Sequence, residues 1–111
     1  MSDCIFCKIV SGEIPAERII EDPGFIAIRD IQPKAPEHVL VIPREHVVSL
    51  NDIDVWNQGH GQDLLSFVVK AADAVGIRDT GYRVVVNTGR DARQVVQHLH
   101  VHVMGGTDLG D

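Results

Sequence analysis

The sequence predicts an α+β fold in which a mostly antiparallel sheet carries one substantial helix. Four short stretches are rich in strand-forming residues, and most of the connections between them are short. One longer stretch, 62–75, has the apolar spacing of a helix. This combination is typical of an α+β arrangement. At 111 residues the chain can bury one shared core, and we expect a single domain over 1–111.

The first half of the chain predicts a short helix and two strands. The segment CIFCKIV is apolar at helical spacing, and Ser11-Gly12 ends it. FIAIRDI (25–31) has strand composition, and the prolines of QPKAPE mark a connecting loop. HVLVIP (38–43) is a second strand that ends at its proline.

The second half predicts a turn, the long helix and two more strands. SLNDID is a turn rich in capping residues, and Gly76 fits the end of the helix. Gly59 and Gly61 argue against extending that helix upstream, and His60 between them is expected to be a surface residue without a role. YRVVVN (82–87) is a strand, and VVQHLHVHVM (95–104) is the last strand, closed by two glycines. The apolar face of the helix comprises Leu64, Leu65, Val68, Ala71, Ala72 and Val75.

The composition argues against some classes of binding partner. The net charge is −6 and no cluster of Lys or Arg occurs, which argues against a surface for nucleic acid or for a membrane. No apolar run approaches the ~20 residues of a membrane helix. The segment MSDCIFCKIV lacks the basic and apolar regions of a secretory signal. We therefore expect a cytoplasmic protein.

Three histidines occur at every second position in HLHVHVMGG, residues 98–106. On a strand, His98, His100 and His102 would share one face at intervals of roughly 6.6 Å. The apolar residues between them would face the core. We therefore expect a strand whose exposed side consists entirely of imidazoles.

The chemistry of imidazole suggests a catalytic row. A half-buried strand that is polar by chance would show histidine three times only rarely. Three ligands at this spacing on one strand span too far to surround one zinc ion at ~2.1 Å. Imidazole is neutral and nucleophilic near pH 7 and can form a covalent bond to phosphorus. A protonated neighbour can stabilise phosphate charge, and the loop NTGRDARQ can offer backbone N–H groups to the same anion.

The two cysteines form one C-x-x-C pair, Cys4 and Cys7. In a reducing compartment such a pair binds metal or acts in redox chemistry more often than it forms a structural disulfide. A thioredoxin-like role would require a preceding strand, which is missing here. Without further information, the C-x-x-C pair and the scattered histidines indicate a zinc site only weakly.

These blocks together resemble the histidine triad (HIT) superfamily, in its Hint branch of nucleoside phosphoramidases. The resemblance extends through CIFCKIVSGEIPA, FIAIRDIQPKAPEHVLVIPREHV, GYRVVVNTG and QHLHVHVMGG. It implies a five-stranded antiparallel sheet with two helices, in a homodimer whose sheets join. It also implies a purine nucleotide of the AMP type as the small-molecule partner.

The resemblance assigns roles to the histidines. His100 would attack the α-phosphorus of a nucleoside 5′-phosphoramidate, and water would then release AMP from a nucleotidyl-histidine. His102 would contact the phosphate, aided by Asn87 and Gln94 at phosphate-site positions. His38 would take part in proton relay, or would be a satisfied histidine at the start of a strand.

The same resemblance supplies the nucleoside site. Asp30 matches the acidic residue that accepts hydrogen bonds from both ribose hydroxyls, and its alternative role is that of a turn residue. The residues that match the apolar walls of the purine pocket, each of which could instead belong to the core, are Ile5, Phe6, Ile9, Ile28 and Ile31.

Zinc would be bound by Cys4, Cys7, His46 and His98, one structural ion per chain. Two positions depart from the family pattern, since Val95 replaces the usual Ser or Thr and Gln97 replaces a residue that is often aromatic. Because Val95 cannot donate a hydrogen bond, help for the leaving group is in question. Two alternatives to the phosphoramidase are a dinucleoside polyphosphate hydrolase and a nucleotide-binding protein with little catalytic activity.

Overall fold

The computed structural model describes residues 3–54, 56 and 59–111. Over these residues five strands form one antiparallel sheet in the order β1-β2-β3-β5-β4, which confirms the expected α+β architecture of five strands and two helices. The elements in chain order are α1 (Ile5–Val10), β1 (Arg18–Glu21), β2 (Phe25–Arg29), β3 (Glu37–Pro43), a 3₁₀ turn (Leu50–Asp52), α2 (His60–Ala74), β4 (Tyr82–Val85) and β5 (Val101–Gly105).

The largest differences between the strands and the sequence prediction are at β1 and β5, while β2 and β4 each end two residues earlier than predicted. The segment RIIE forms β1, which was not predicted because four residues with an irregular register carry little pattern. The last strand was predicted over 95–104, but β5 begins only at Val101. The backbone leaves the ladder before that point, since the N–H of Leu99 donates to the carbonyl of Val47 at 2.6 Å.

Both ends of α2 depend on glycine. The helix begins at His60, two residues earlier than predicted, because Gly59 precedes it with a φ of 90°. Gly76 follows the helix with a φ of 77°. The N–H of Ile77 donates to the carbonyl of Ala72, which is the usual hydrogen bond beyond a helix end of this type. With 15 residues, α2 is too short to cross a bilayer, and α1 is shorter still.

The expectation that His60 is an exposed surface residue was wrong. Its ring is half-buried and meets the ring of Trp56 at a centroid distance of 4.9 Å. Trp56 is itself buried and packs its ring against that of Phe25. The early start of α2 explains the difference, because it turns His60 toward the core.

The two faces of the sheet carry different layers. On one face, Val101 and Val103 of β5 pack with α2 residues such as Phe67. On the other face, Phe6 and Ile9 of α1 form a second apolar cluster with β2 and β3. Because side chains alternate along a strand, the even-numbered residues of β5 lie on the face of α1. His102 is therefore on the face of α1, and His98 and His100, which precede the strand, both meet Phe6 of this helix.

Candidate active site

The three histidines lie on the α1 side of the sheet, but they do not form a uniformly exposed row. His100 and His102 are half-buried, whereas His98 is 0% exposed. Its ring packs edge-on against Phe6 at 5.9 Å and against His46 at 4.9 Å, between centroids. The expectation of a fully exposed imidazole face was therefore wrong at His98, because α1 covers this end of the row.

The backbone fixes which nitrogen of His100 carries the proton. Its Nδ1 lies 2.8 Å from the carbonyl oxygen of His98. A carbonyl can only accept a hydrogen bond, so Nδ1 must carry hydrogen. In the neutral ring, Nε2 then keeps its lone pair. This is the tautomer that a nucleophilic imidazole requires.

A second chain of hydrogen bonds sets the protons of His38 and His102. The backbone N–H of Lys34 donates to Nδ1 of His38 at 3.0 Å, so neutral His38 carries its proton on Nε2. That Nε2–H donates to Nδ1 of His102 at 2.9 Å. Neutral His102 therefore carries its proton on Nε2, where it can donate to a ligand. Asp30 completes the chain, with Oδ2 at 3.4 Å from Nε2 of His38.

Burial keeps this pair of histidines neutral. The pKa of His102 is lowered to about 4, chiefly by burial and also by the neighbouring His100 and His38, while Asp30 opposes this shift. Burial also lowers the pKa of His38. At neutral pH His102 is therefore an uncharged donor in the ligand-free protein, and not the protonated imidazole that the sequence suggested beside the nucleophile.

The predicted phosphate positions flank the histidine segment. The side chain of Gln94 accepts from the N–H of Gly89 at 3.0 Å and donates to the carbonyls of Val48 (2.7 Å) and Val96 (3.1 Å). In this arrangement its amide secures the loop before the histidines. Asn87 is half-buried just beyond the end of β4. Direct phosphate contact by either residue stays a prediction.

The residues expected to line a purine pocket fall into two groups. Phe6, Ile9 and Ile28 are buried in the apolar cluster on the α1 face. Ile5 is 45% exposed, and Ile31 is 94% exposed directly after Asp30. The structure does not bring all five together in one lined cavity, so their shared role also stays a prediction.

Four predicted metal ligands converge at the start of α1. The ligand atoms of Cys4, Cys7, His46 and His98 all lie within 4.8 Å of one another, close enough to hold a metal ion. The Nδ1 of His98 is 3.4 Å from the sulfur of Cys4 and 3.5 Å from that of Cys7. The Nδ1 of His46 is 3.1 Å from the sulfur of Cys7.

The tautomer of His98 fits metal binding. Its Nε2 lies 2.8 Å from the carbonyl oxygen of Pro43, so this nitrogen carries the proton and Nδ1 presents a lone pair to the cysteines. Such a bond to a backbone carbonyl is the usual way of orienting a metal-binding imidazole. Two thiolates and two imidazoles are also a suitable tetrahedral set.

The sequence predicts side chains for the site but not the backbone groups that orient them in the structure. The carbonyls of Pro43 and His98 and the N–H of Lys34 assign the protons of three imidazoles. A side-chain pattern carries no signal for such groups.

Comparison with known proteins agrees with this geometry. The family model described as HIT domain matches residues 11–109. The chain is 37% identical to the purine nucleoside phosphoramidase of Escherichia coli K12, over 97% of this chain and 91% of that protein. It is 41% identical to Protein HitA of Neisseria gonorrhoeae, over 95% of this chain and 97% of that protein.

Solved structures give the same result. A histidine triad protein from Clostridium difficile superimposes with a TM-score of 0.93 at 40% identity, covering 100% of this chain and 96% of that one. A HIT family hydrolase from Legionella pneumophila Philadelphia 1 gives a TM-score of 0.91 at 40% identity, covering 97% and 96%. By sequence and by fold, this chain belongs to the HIT domain family.

Proposed function

We propose that the protein is a nucleotidyl hydrolase that cleaves the P–N bond of nucleoside 5′-phosphoramidates. The observation that carries the proposal is the hydrogen bond from Nδ1 of His100 to the carbonyl of His98, which leaves Nε2 as a lone-pair nucleophile. The similarity to a purine nucleoside phosphoramidase supports the substrate class.

In the first half-reaction the lone pair of His100 Nε2 forms a bond to the α-phosphorus. The bond from phosphorus to the substrate nitrogen breaks, and the amine leaves with one added proton taken from solvent. In the second half-reaction the oxygen of water bonds to phosphorus, and the electron pair of the broken phosphorus–histidine bond returns to Nε2. AMP is released and the proton goes back to solvent, so that one water is consumed.

Local donors hold the anionic substrate, because the chain as a whole carries a charge of −6. His102 supplies its Nε2–H to the phosphate, since its Nδ1 is occupied by His38. Asn87 and the loop around Gln94 lie next to the same phosphate. Asp30 accepts hydrogen bonds from the ribose hydroxyls, which a carboxylate can do twice.

The nucleoside base lies on the α1 side of the site. We assign its apolar walls to Ile5 and Ile31, which are exposed, and to the edges of the buried Phe6, Ile9 and Ile28. His38 takes part in proton relay behind His102 through its Nε2, the nitrogen that faces both Nδ1 of His102 and Oδ2 of Asp30.

We also propose that the cluster near α1 is a structural zinc site. Cys4, Cys7, His46 and His98 would hold the ion, one per chain, with no position left for substrate. When bound, zinc would cross-link α1 to the segment that precedes His100. The proton on Nε2 of His98 and the carbonyl of Pro43 keep the ligating nitrogen directed to the cysteines.

A nucleotide-binding protein with little turnover is the second candidate. Val95 favours it, because this side chain is 86% exposed at the position from which a Ser or Thr would aid the leaving group. Such a protein would bind AMP with the same residues and would release no amine.

AMP release from adenosine 5′-phosphoramidate distinguishes the hydrolase from the binding protein. We expect turnover by the wild-type chain, and none above background by folded His100→Ala. As a matched control, His60→Ala removes a histidine on the α2 side and should retain turnover. AMP binding without turnover in the wild type would instead mean either a substrate with a different leaving group or a binding protein.

A further inference from the structure

The helix α1 is tied down at both ends, although it has only six residues. At its start, the sulfur of Cys4 accepts a hydrogen bond from the N–H of Cys7 at 3.4 Å. At its end, the guanidinium of Arg18 donates to the carbonyls of Ile9 (2.7 Å) and Val10 (3.1 Å). Because these contacts restrain both ends, the segment between Cys4 and Ile9, Phe6 included, is held against the sheet.

Phe6 is the residue of α1 that meets the catalytic histidines. It is only 7% exposed. Its ring lies edge-on to His100, with 5.0 Å between centroids and 68° between planes, and edge-on to His98 at 5.9 Å and 86°. Both arrangements fall in the range that aromatic pairs prefer.

This contact restrains the one motion that would disable the nucleophile. The second side-chain torsion of histidine is broad, so the ring of His100 can turn unless something holds it. The hydrogen bond from Nδ1 to the carbonyl of His98 holds one edge. Phe6 packs against the ring and also against the residue that provides this carbonyl. Turning the ring away would separate Nδ1 from its acceptor and redirect the Nε2 lone pair.

We propose that Phe6 is a positioning residue that holds His100 in its nucleophilic tautomer and orientation. The inference rests on the proposed function, and it gives Phe6 a role beyond that of a wall for the purine base. A wall would act on substrate binding and only through the base. A positioning residue acts on the chemical step whether or not the substrate has a base.

The test compares Phe6→Leu with the matched variant Ile26→Val. Ile26 is fully buried in the same apolar cluster, and each change removes only part of a buried apolar side chain, so we expect similar losses of stability in the two variants. Both variants are assayed with adenosine 5′-phosphoramidate and with ribose 5′-phosphoramidate, which lacks the base. We expect Phe6→Leu to lower kcat about tenfold on both substrates, as misalignment of a nucleophile does, and Ile26→Val to leave kcat unchanged.

A rise in KM confined to the adenosine substrate, with kcat unchanged, would overturn the proposal and leave Phe6 as a wall for the base. Equal losses of kcat in both variants would also overturn it, since a general loss of packing would then explain the effect. Nitrogen-15 NMR of the imidazoles gives a readout that does not depend on turnover. We expect the Nδ1–H form of His100 to dominate in wild type and to lose population in Phe6→Leu. An unchanged tautomer would contradict the proposal even if the chain proves not to be a hydrolase.

Discussion

Acid should destabilise this protein through His102. Burial lowers the pKa of His102 to about 4 in the folded chain, against an ordinary value of 6.5. The unfolded chain therefore binds the proton first, so the stabilisation is complete above pH 6.5 and is lost as the pH falls toward 4. At 1.36 kcal/mol for each pKa unit, the whole effect is on the order of 3 kcal/mol. Between pH 7 and pH 4.5 we expect a loss of about 2 kcal/mol from this residue.

The other groups that face this ring are Asp30, His38, Lys34 and His100. Their own titration, and acid release of any metal, also contribute to the total pH dependence. The contribution of His102 is therefore measured as a difference between wild type and His102→Asn, in which the ionisable ring is gone.

Urea unfolding at several pH values measures this difference. Unfolding is followed by the fluorescence of Trp56, the one tryptophan of the chain. The free energy of unfolding should fall more steeply with acid in wild type than in His102→Asn, with the gap closing by about 2 kcal/mol between pH 7 and pH 4.5. Parallel curves for the two proteins would refute the assignment of His102 as a buried neutral imidazole.

Three further predictions concern metal, loop and assembly. Purified protein should carry about one zinc per chain, and chelation should lower the melting temperature of wild type but not that of Cys7→Ser. A metal-free preparation whose melting temperature does not change with chelator would contradict the zinc site. Gln94→Ala should cost about 2 kcal/mol in urea unfolding, because three backbone groups lose their partner; a cost below about 0.5 kcal/mol would show that water replaces the amide. Sedimentation should show that the wild type is a homodimer and that Val84→Asp is a monomer. The reason is that β4 lies at one end of the sheet and Val84 on it is exposed. A monomeric wild type would contradict the expected dimer.

The sequence predicts the helices better than the strands, and the reason is local. Glycines after both helices mark their ends, and their positive φ values in the structure explain why. The strand RIIE lacks a comparable signal, because its four residues are all at least partly exposed. The alternating pattern of 95–100 looks like a strand, yet tertiary contacts draw this segment out of the ladder.

In the candidate site, too, the sequence indicates which side chains share a face but not what surrounds them. The spacing of His98, His100 and His102 indicates one shared face, and in the structure His100 and His102 are half-buried. The spacing could not indicate that α1 buries His98, because this depends on contacts between residues more than ninety positions apart. The proton positions depend on backbone groups, which no residue pattern records.

The most direct test of the central claim is to look for the covalent intermediate on His100. Wild-type protein mixed with adenosine 5′-phosphoramidate in a single-turnover experiment is quenched, digested under alkaline conditions and mapped by mass spectrometry. We predict a nucleotidyl group on His100 that forms and decays at rates compatible with AMP release, and no such group in His100→Ala. Turnover that proceeds while His100 stays unmodified, or modification of His102 instead, would contradict the account.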